Sequence, residues 1–188
     1  MTETIIRKDV EPTSERKQYF TQLAGEYLVA GELFRQQIFA YVTFGQAKSF
    51  DILAVGKNNK IAKVEVKTTR NNYSDFKQRA YPDDNHWMFN IQSMNKDIEK
   101  NGGLNSSKSP DDKFYVFVAL CGDKPDYYVF DSQMVFKAFR DKIKERQANG
   151  GPLRGMWDLK LSRVKIANNI SERFRKDDWS ILRNYLSS

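Results

Sequence analysis

Between Ser49 and Thr68 the chain reads SFDILAVGKNNKIAKVEVKT, two apolar runs joined by the polar turn GKNNK. Turn residues between alternating hydrophobic positions specify a β-hairpin, and a hairpin with one buried face fixes its own register. If the five-residue turn is symmetric about Asn58, Val55 faces Ile61 and Asp51 faces Glu65. Side chains alternate along a strand, so Asp51, Leu53 and Val55 share one face, as do Ile61, Lys63, Glu65 and Lys67. Two carboxylates then stand side by side, their Cβ atoms about 4.5–5.5 Å apart, with a lysine two residues further along the same face. Like charges in that position repel. Asp51 also interrupts a run from Phe50 to Val55 that is otherwise apolar, where a carboxylate needs a metal or a basic partner.

The flanking sequence predicts the rest of the fold. Residues 1–12, ending at Pro12, read as a loose N-terminal arm. Ser14 caps a helix to about Phe34, with Gly25 and Gly31 permitting close packing. Strands follow over Gln37–Phe44, Ser49–Val55 and Ile61–Thr68, then a polar loop over Asn71–Asp84 and a short extended run over His86–Ile91. Ser93–Lys100 reads as a short helix and Asn101–Lys113 as a loop. Phe114–Leu120 is apolar on both faces, as a central strand should be, and pairs with Tyr127–Phe130. Met134–Ala148 reads as an amphipathic basic helix, Trp157–Val164 as strand-like, and about Asp177–Leu186 as a final helix. The chain is therefore expected to be one α/β domain: an α-β-β-β-α-β core over residues 14–133 with a mixed central sheet flanked by helices, and a basic C-terminal extension over 134–188.

Charge supports that division. The 188 residues carry a net charge of +7, and thirteen basic against six acidic residues from Met134 onward account for all of it. Clustered Lys and Arg displace counterions from a phosphate backbone, so a polyanion is the expected partner and a solvated basic face the alternative. Lys137, Arg140, Lys144, Arg163, Lys165, Arg173 and Arg175 are the candidate DNA-backbone contacts. The single cysteine, Cys121, excludes a disulfide framework and a Cys-based zinc site. No segment has signal-peptide or membrane-span character, which points to a cytoplasmic protein.

Two carboxylates and a lysine at this spacing suit a hard cation such as Mg²⁺, which takes oxygen ligands and keeps several waters. The cation can polarise a phosphoryl oxygen and acidify a water, while the lysine orients that water or stabilises charge on the phosphate. Phosphodiester hydrolysis fits these parts. Asp51 followed fourteen residues later by Glu65-Val66-Lys67 on an apolar strand, behind a helix containing GEYLVAGEL, resembles the PD-(D/E)xK, or restriction-endonuclease-like, nuclease superfamily over roughly Ser14 to Leu120. The resemblance implies that Asp51, Glu65 and the Val66 carbonyl bind Mg²⁺ (Mn²⁺ as the alternative), that Lys67 assists the attacking water, and that an acid on the first helix, Glu26 or alternatively Glu32, completes the shell. It implies in-line attack leaving a 5′-phosphate. Phe50 stands where the family's proline precedes the aspartate.

Tyr81-Pro82-Asp83-Asp84 and Pro110-Asp111-Asp112-Lys113 match the motif's letters better but lie in polar loops and read as turns. Asp158-Leu159-Lys160 lies in a strand-like run with no aspartate-bearing strand at hairpin distance. Thr68, Thr69, Arg70 and Gln92 are further candidates near the site, and His86 is a packed or loop histidine. The expected function is a Mg²⁺-dependent DNA endonuclease of restriction or phage-defence type. A repair or branched-junction nuclease and a non-catalytic DNA-binding protein of the same fold are the alternatives. Cutting duplex DNA on both strands with one site per chain implies a homodimer.

Overall fold

The computed structural model describes residues 14–43, 50–70, 86–120, 123–154, 156–160 and 176–188. The elements in order are α1 (Ser14–Arg35), β1 (Phe39–Val42), β2 (Ile52–Val55), β3 (Ile61–Thr69), β4 (His86–Asn90), α2 (Ile91–Lys100), β5 (Lys113–Ala119), β6 (Asp126–Asp131), α3 (Ser132–Ala148), β7 (Met156–Lys160) and α4 (Ser180–Ser187). Five strands form one mixed sheet in the order β1-β2-β3-β5-β6, in which only β3 and β5 run parallel. β4 and β7 form a separate antiparallel pair. β4 thus adds a strand between β3 and α2 that the expected α-β-β-β-α-β order does not contain.

The hairpin register is the one its turn specifies: Val55 pairs with Ile61 and Ile52 with Val64. The turn itself is a short 3₁₀ segment, 57–59, with Asn58 and Asn59 at φ of 56° and 60°, a left-handed conformation that asparagine tolerates better than most residues.

Each face of the sheet has its own core. Ala40, Ile52, Ala54, Ala62, Val64 and Val116 pack under Val29, Ala30 and Leu33 of α1 and Leu182 and Leu186 of α4. On the other face Tyr115, Phe117 and Phe130 pack with Trp87 and Phe89 of β4, Ile98 of α2, and Phe136, Phe139 and Ile143 of α3. β5 lies in both cores and all seven of its residues are buried, which is why its sequence is apolar after the opening Lys113. Among the described residues the second layer lies chiefly over the β5–β6 side. Over β1, β2 and β3 the same face leaves Phe39, Tyr41 and Ile61 65, 58 and 44% exposed.

Both described helices of the basic C-terminal third, α3 and α4, supply core side chains. Where it is described, that third therefore packs against the sheet, because its helices carry apolar faces that need burial. Arg140 shows the consequence. It is 5% exposed, and its guanidinium donates to the carbonyls of Gly103 (3.1 Å) and Lys108 (2.5 Å). It clamps the 101–112 loop onto α3 and is not available as the DNA-backbone contact expected of it. Arg140→Met should keep the packed stem and strand both carbonyls, costing roughly 2–3 kcal/mol in chemical denaturation.

Candidate active site

Asp51 lies one residue before β2, held by backbone bonds on both sides: its N–H donates to the Val64 carbonyl (2.9 Å), and its carbonyl accepts from the Thr43 N–H (2.8 Å). Its carboxylate Oδ2 accepts from the Val66 N–H at 2.7 Å. Burial raises the pKa of Asp51, and the charge of Glu65 pushes the same way against the opposing effects of the Val66 N–H, Lys67 and Lys113.

Glu65 has the opposite character. Its Oε1 is 2.7 Å from Lys67 Nζ and its Oε2 is 3.1 Å from Lys113 Nζ. Burial works to raise its pKa, and the two ammonium groups together outweigh burial and hold it below the ordinary value. Two neighbouring carboxylates whose pKa values are pushed apart are the signature of a divided role, one readily protonated and one held as an anion.

The cation that relieves the Asp51–Glu65 repulsion here is thus a pair of lysines. Sequence reading identified Lys67 and missed Lys113, the first residue of β5. Lys113 closes the turn from Pro110, the PDDK segment read as a decoy, and the parallel β3–β5 pairing carries it beside Glu65. It is 7% exposed, 3.9 Å from Asp97 Oδ2 of α2 and 5.1 Å from the Tyr115 ring centroid. Removing one partner of such a network leaves the remaining charge less compensated. Lys113→Met should cost roughly 2 kcal/mol at neutral pH. A carboxylate with a lowered folded pKa contributes stability above its unfolded value, here near 4.5, and loses it as pH falls through the folded pKa. Denaturation curves of variant and parent should therefore converge in acid.

A cleft of about 500 Å³ opens between α1 and the C-terminal end of β3, lined by Glu26, Asp51, Val66, Lys67, Thr68, Thr69, Arg70, Trp87 and Asn90, with Lys17, Gln18, Thr21 and Gln22 along its α1 edge. α1 comes this close because residue 25 is glycine: a Cβ there would stand 1.7 Å from Thr68 Oγ1. The next residue, Glu26, consequently reaches the cleft. Glu32 does not line it; its carboxylate accepts from Arg35 and Gln36, both at 2.7 Å. Far across the cleft, Trp87 is fixed by its indole N–H on the Val118 carbonyl at 3.1 Å.

Other expected residues fall elsewhere. Gln92 is exposed on α2 and does not line the cleft. Asp158 pairs in register with Met88 of β4, a strand without an acid, so the Asp158-Leu159-Lys160 alternative has no carboxylate-bearing partner strand. Lys137 and Lys144 are exposed on α3 and, with Gln133, Asp141 and the buried Arg140, line a shallow groove of about 240 Å³. Arg163, Lys165, Arg173 and Arg175 lie outside the described residues, as do Cys121 and the Tyr81–Asp84 segment.

The donor set suits a divalent cation. Asp51 and Glu65 offer hard oxygens on neighbouring strands, and Lys67 already stands against Glu65 as a positive counter-charge. Among the described residues no three acidic, histidine or cysteine side chains form a ready-made metal group, so in the observed arrangement an ion would rest on Asp51 and Glu65, with water in positions that further oxygen groups could take over, a set that Mg²⁺ accepts.

No protein-family model and no curated protein matches the chain. Among solved structures it is similar to a bacterial homing endonuclease, I-Ssp6803I, at 11% identity and a TM-score of 0.44, over 88% of this chain and 93% of that one. No helix among the described residues is long and apolar enough to cross a membrane.

Proposed function

We propose that this chain is a Mg²⁺-dependent DNA endonuclease of the PD-(D/E)xK kind, acting on duplex DNA in restriction or phage defence. The observation that carries the reading is the convergence of Asp51, Lys67 and Glu26 on one open cleft, with Glu65 anchored behind Lys67 by a second lysine. Asp51 and Glu65 would hold the cation, with the Val66 carbonyl and Glu26 completing its surroundings and Mn²⁺ as a substitute. When bound, the cation supplies Lewis-acid polarisation of a phosphoryl oxygen and acidifies a water.

The remaining work falls to side chains of the chain itself. Lys67 faces the cleft from the edge of Glu65 and places an ammonium where charge develops on the phosphate during in-line attack. Asp51, with its raised pKa, is the better of the two carboxylates at accepting a proton. Thr69 and Arg70, at the end of β3, offer a hydroxyl and a guanidinium to the DNA backbone, which fixes register without reading sequence. Lys137 and Lys144, and from the sequence Arg163, Lys165, Arg173 and Arg175, supply further electrostatic grip.

The test is incubation of supercoiled, linear and branched DNA with the protein in Mg²⁺ or Mn²⁺ and in excess EDTA. Nicking or linearisation that EDTA abolishes is the expected result. Salt-sensitive binding with no cleavage of any of the three would replace this reading with a non-catalytic DNA-binding role.

A further inference from the structure

α1 is apolar on two sides. Val29, Ala30 and Leu33 face the core. On the opposite side Phe20, Ala24, Tyr27, Gly31 and Phe34 follow one another at spacings of four, three, four and three, the repeat that keeps residues in one line along a helix. All five are exposed, the three aromatics by 57, 53 and 54%. The line contains no charge: Glu26 turns toward the cleft, and Glu32 is engaged by Arg35 and Gln36.

We propose that this face binds a second copy of the chain, α1 against α1 in antiparallel array about a two-fold axis. The sizes along the line run large, small, large, small, large, a pattern that becomes its own complement on reversal. In one register Phe20 of each copy lies against Gly31 of the other, Tyr27 against Ala24, and Phe34 against the aliphatic stem of Lys17. Every aromatic then meets a small or flexible residue, the interdigitation that packs helix interfaces densely.

Gly31 is an independent indication. Among the described residues a Cβ at Gly31 would meet nothing within 4 Å, so no contact they make calls for glycine there. In an exposed helix interior glycine is less favourable than alanine. Close approach of a second helix supplies the missing reason.

Area sets the strength. A Phe or Tyr presents on the order of 200 Å², so the three aromatics leave roughly 300 Å² uncovered at their observed exposures. Tyr19 and Leu28 project to opposite flanks of the helix, well off the line, so the three aromatics set the total for two copies at roughly 600 Å². That is below the roughly 1,000 Å² at which specific, stable interfaces begin, so the dimer should be weak and readily reversible, with a Kd on the order of 100 µM. Of the cleft lining only Lys17, on its α1 edge, takes part in the pairing, and none of Asp51, Glu65, Lys67 or Glu26 does, so the pairing stands or falls separately from the nuclease reading.

Sedimentation of the full chain, from about 1 to 500 µM, tests it. The expected result is a mass rising from one chain to two. Tyr27→Glu should weaken association at least tenfold, since it buries a charge in the interface. Gly31→Leu should weaken it also, although it adds apolar surface, because the large residue removes the gap that receives Phe20. Circular dichroism melts would confirm that both variants are folded. Three results would overturn the proposal: a wild-type chain that stays monomeric throughout, a dimer strengthened by Gly31→Leu, or a dimer indifferent to Tyr27→Glu and dissociated by Phe39→Ser with Tyr41→Ser on the far face of the sheet.

Discussion

Asp51→Asn is expected to lower metal-dependent DNA cleavage by about 10³-fold or more while raising the thermal stability of the metal-free protein at neutral pH. The two effects share one cause. Asparagine keeps an oxygen for the Val66 N–H and removes a charge that burial disfavours. With its pKa above the ordinary 3.8, Asp51 binds its proton more tightly in the folded protein than in the unfolded chain. Its contribution therefore falls as pH rises through that window and is a net cost at neutral pH. The gain in melting temperature should fade as the buffer is brought below the ordinary carboxylate range. Lys67→Ala should reduce cleavage to a similar degree with the opposite effect on stability, because Glu65 then keeps only Lys113. A destabilised acid variant and a stabilised lysine variant would invert the assignment of roles. Undiminished cutting by both would end it.

The site was legible in the sequence to the extent that it is local. Turn symmetry about Asn58 set the hairpin register, and alternation put Asp51, Glu65 and Lys67 on one face. Both rules concern residues within one hairpin, whose geometry has few solutions. Lys113 escaped because its approach to Glu65 depends on a parallel pairing between strands separated by β4 and α2, which no spacing rule reveals. Its one local signal, a lysine opening an entirely apolar strand, was read as the end of a loop. Arg140 was misassigned for a different reason. Phe136, Arg140 and Ile143 follow helical spacing, so the arginine belonged on the buried face, but composition weighed every basic residue alike. Net charge counts residues and says nothing of which carbonyls or carboxylates have claimed them. The additional strand β4 was read only as a short extended run because its partner, β7, lies some seventy residues away in sequence.

Gly25 carries the tightest steric constraint in the site, and Gly25→Ala should be destabilising although alanine is the better helix former. Helix propensity favours the substitution by about 1 kcal/mol. Against it, the new Cβ would lie 1.7 Å from Thr68 Oγ1, 2.9 Å from its Cβ and 3.1 Å from its Cγ2. Rotating Thr68 exchanges one substituent for another and leaves its Cβ too close, so backbone must move. Overpacking of this kind costs about 1–3 kcal/mol, and more when backbone must shift. The net expected loss is therefore on the order of 2 kcal/mol by chemical denaturation. Relief comes by pushing α1 away from β3, which carries Glu26 out of the cleft, so cleavage should fall as well, by about 10²-fold if its position matters as much as that of other site residues. Thr68→Gly removes every clashing atom. Introduced alone it weakens a strand by roughly 1 kcal/mol, yet combined with Gly25→Ala it should recover most of the lost stability, a coupling on the order of 2 kcal/mol in the double-mutant cycle. Additive losses would mean that α1 and β3 are not in the contact that places Glu26. Gly31→Ala in the same helix should have the opposite sign, stabilising the dilute chain by up to about 1 kcal/mol, because no described residue lies near its Cβ.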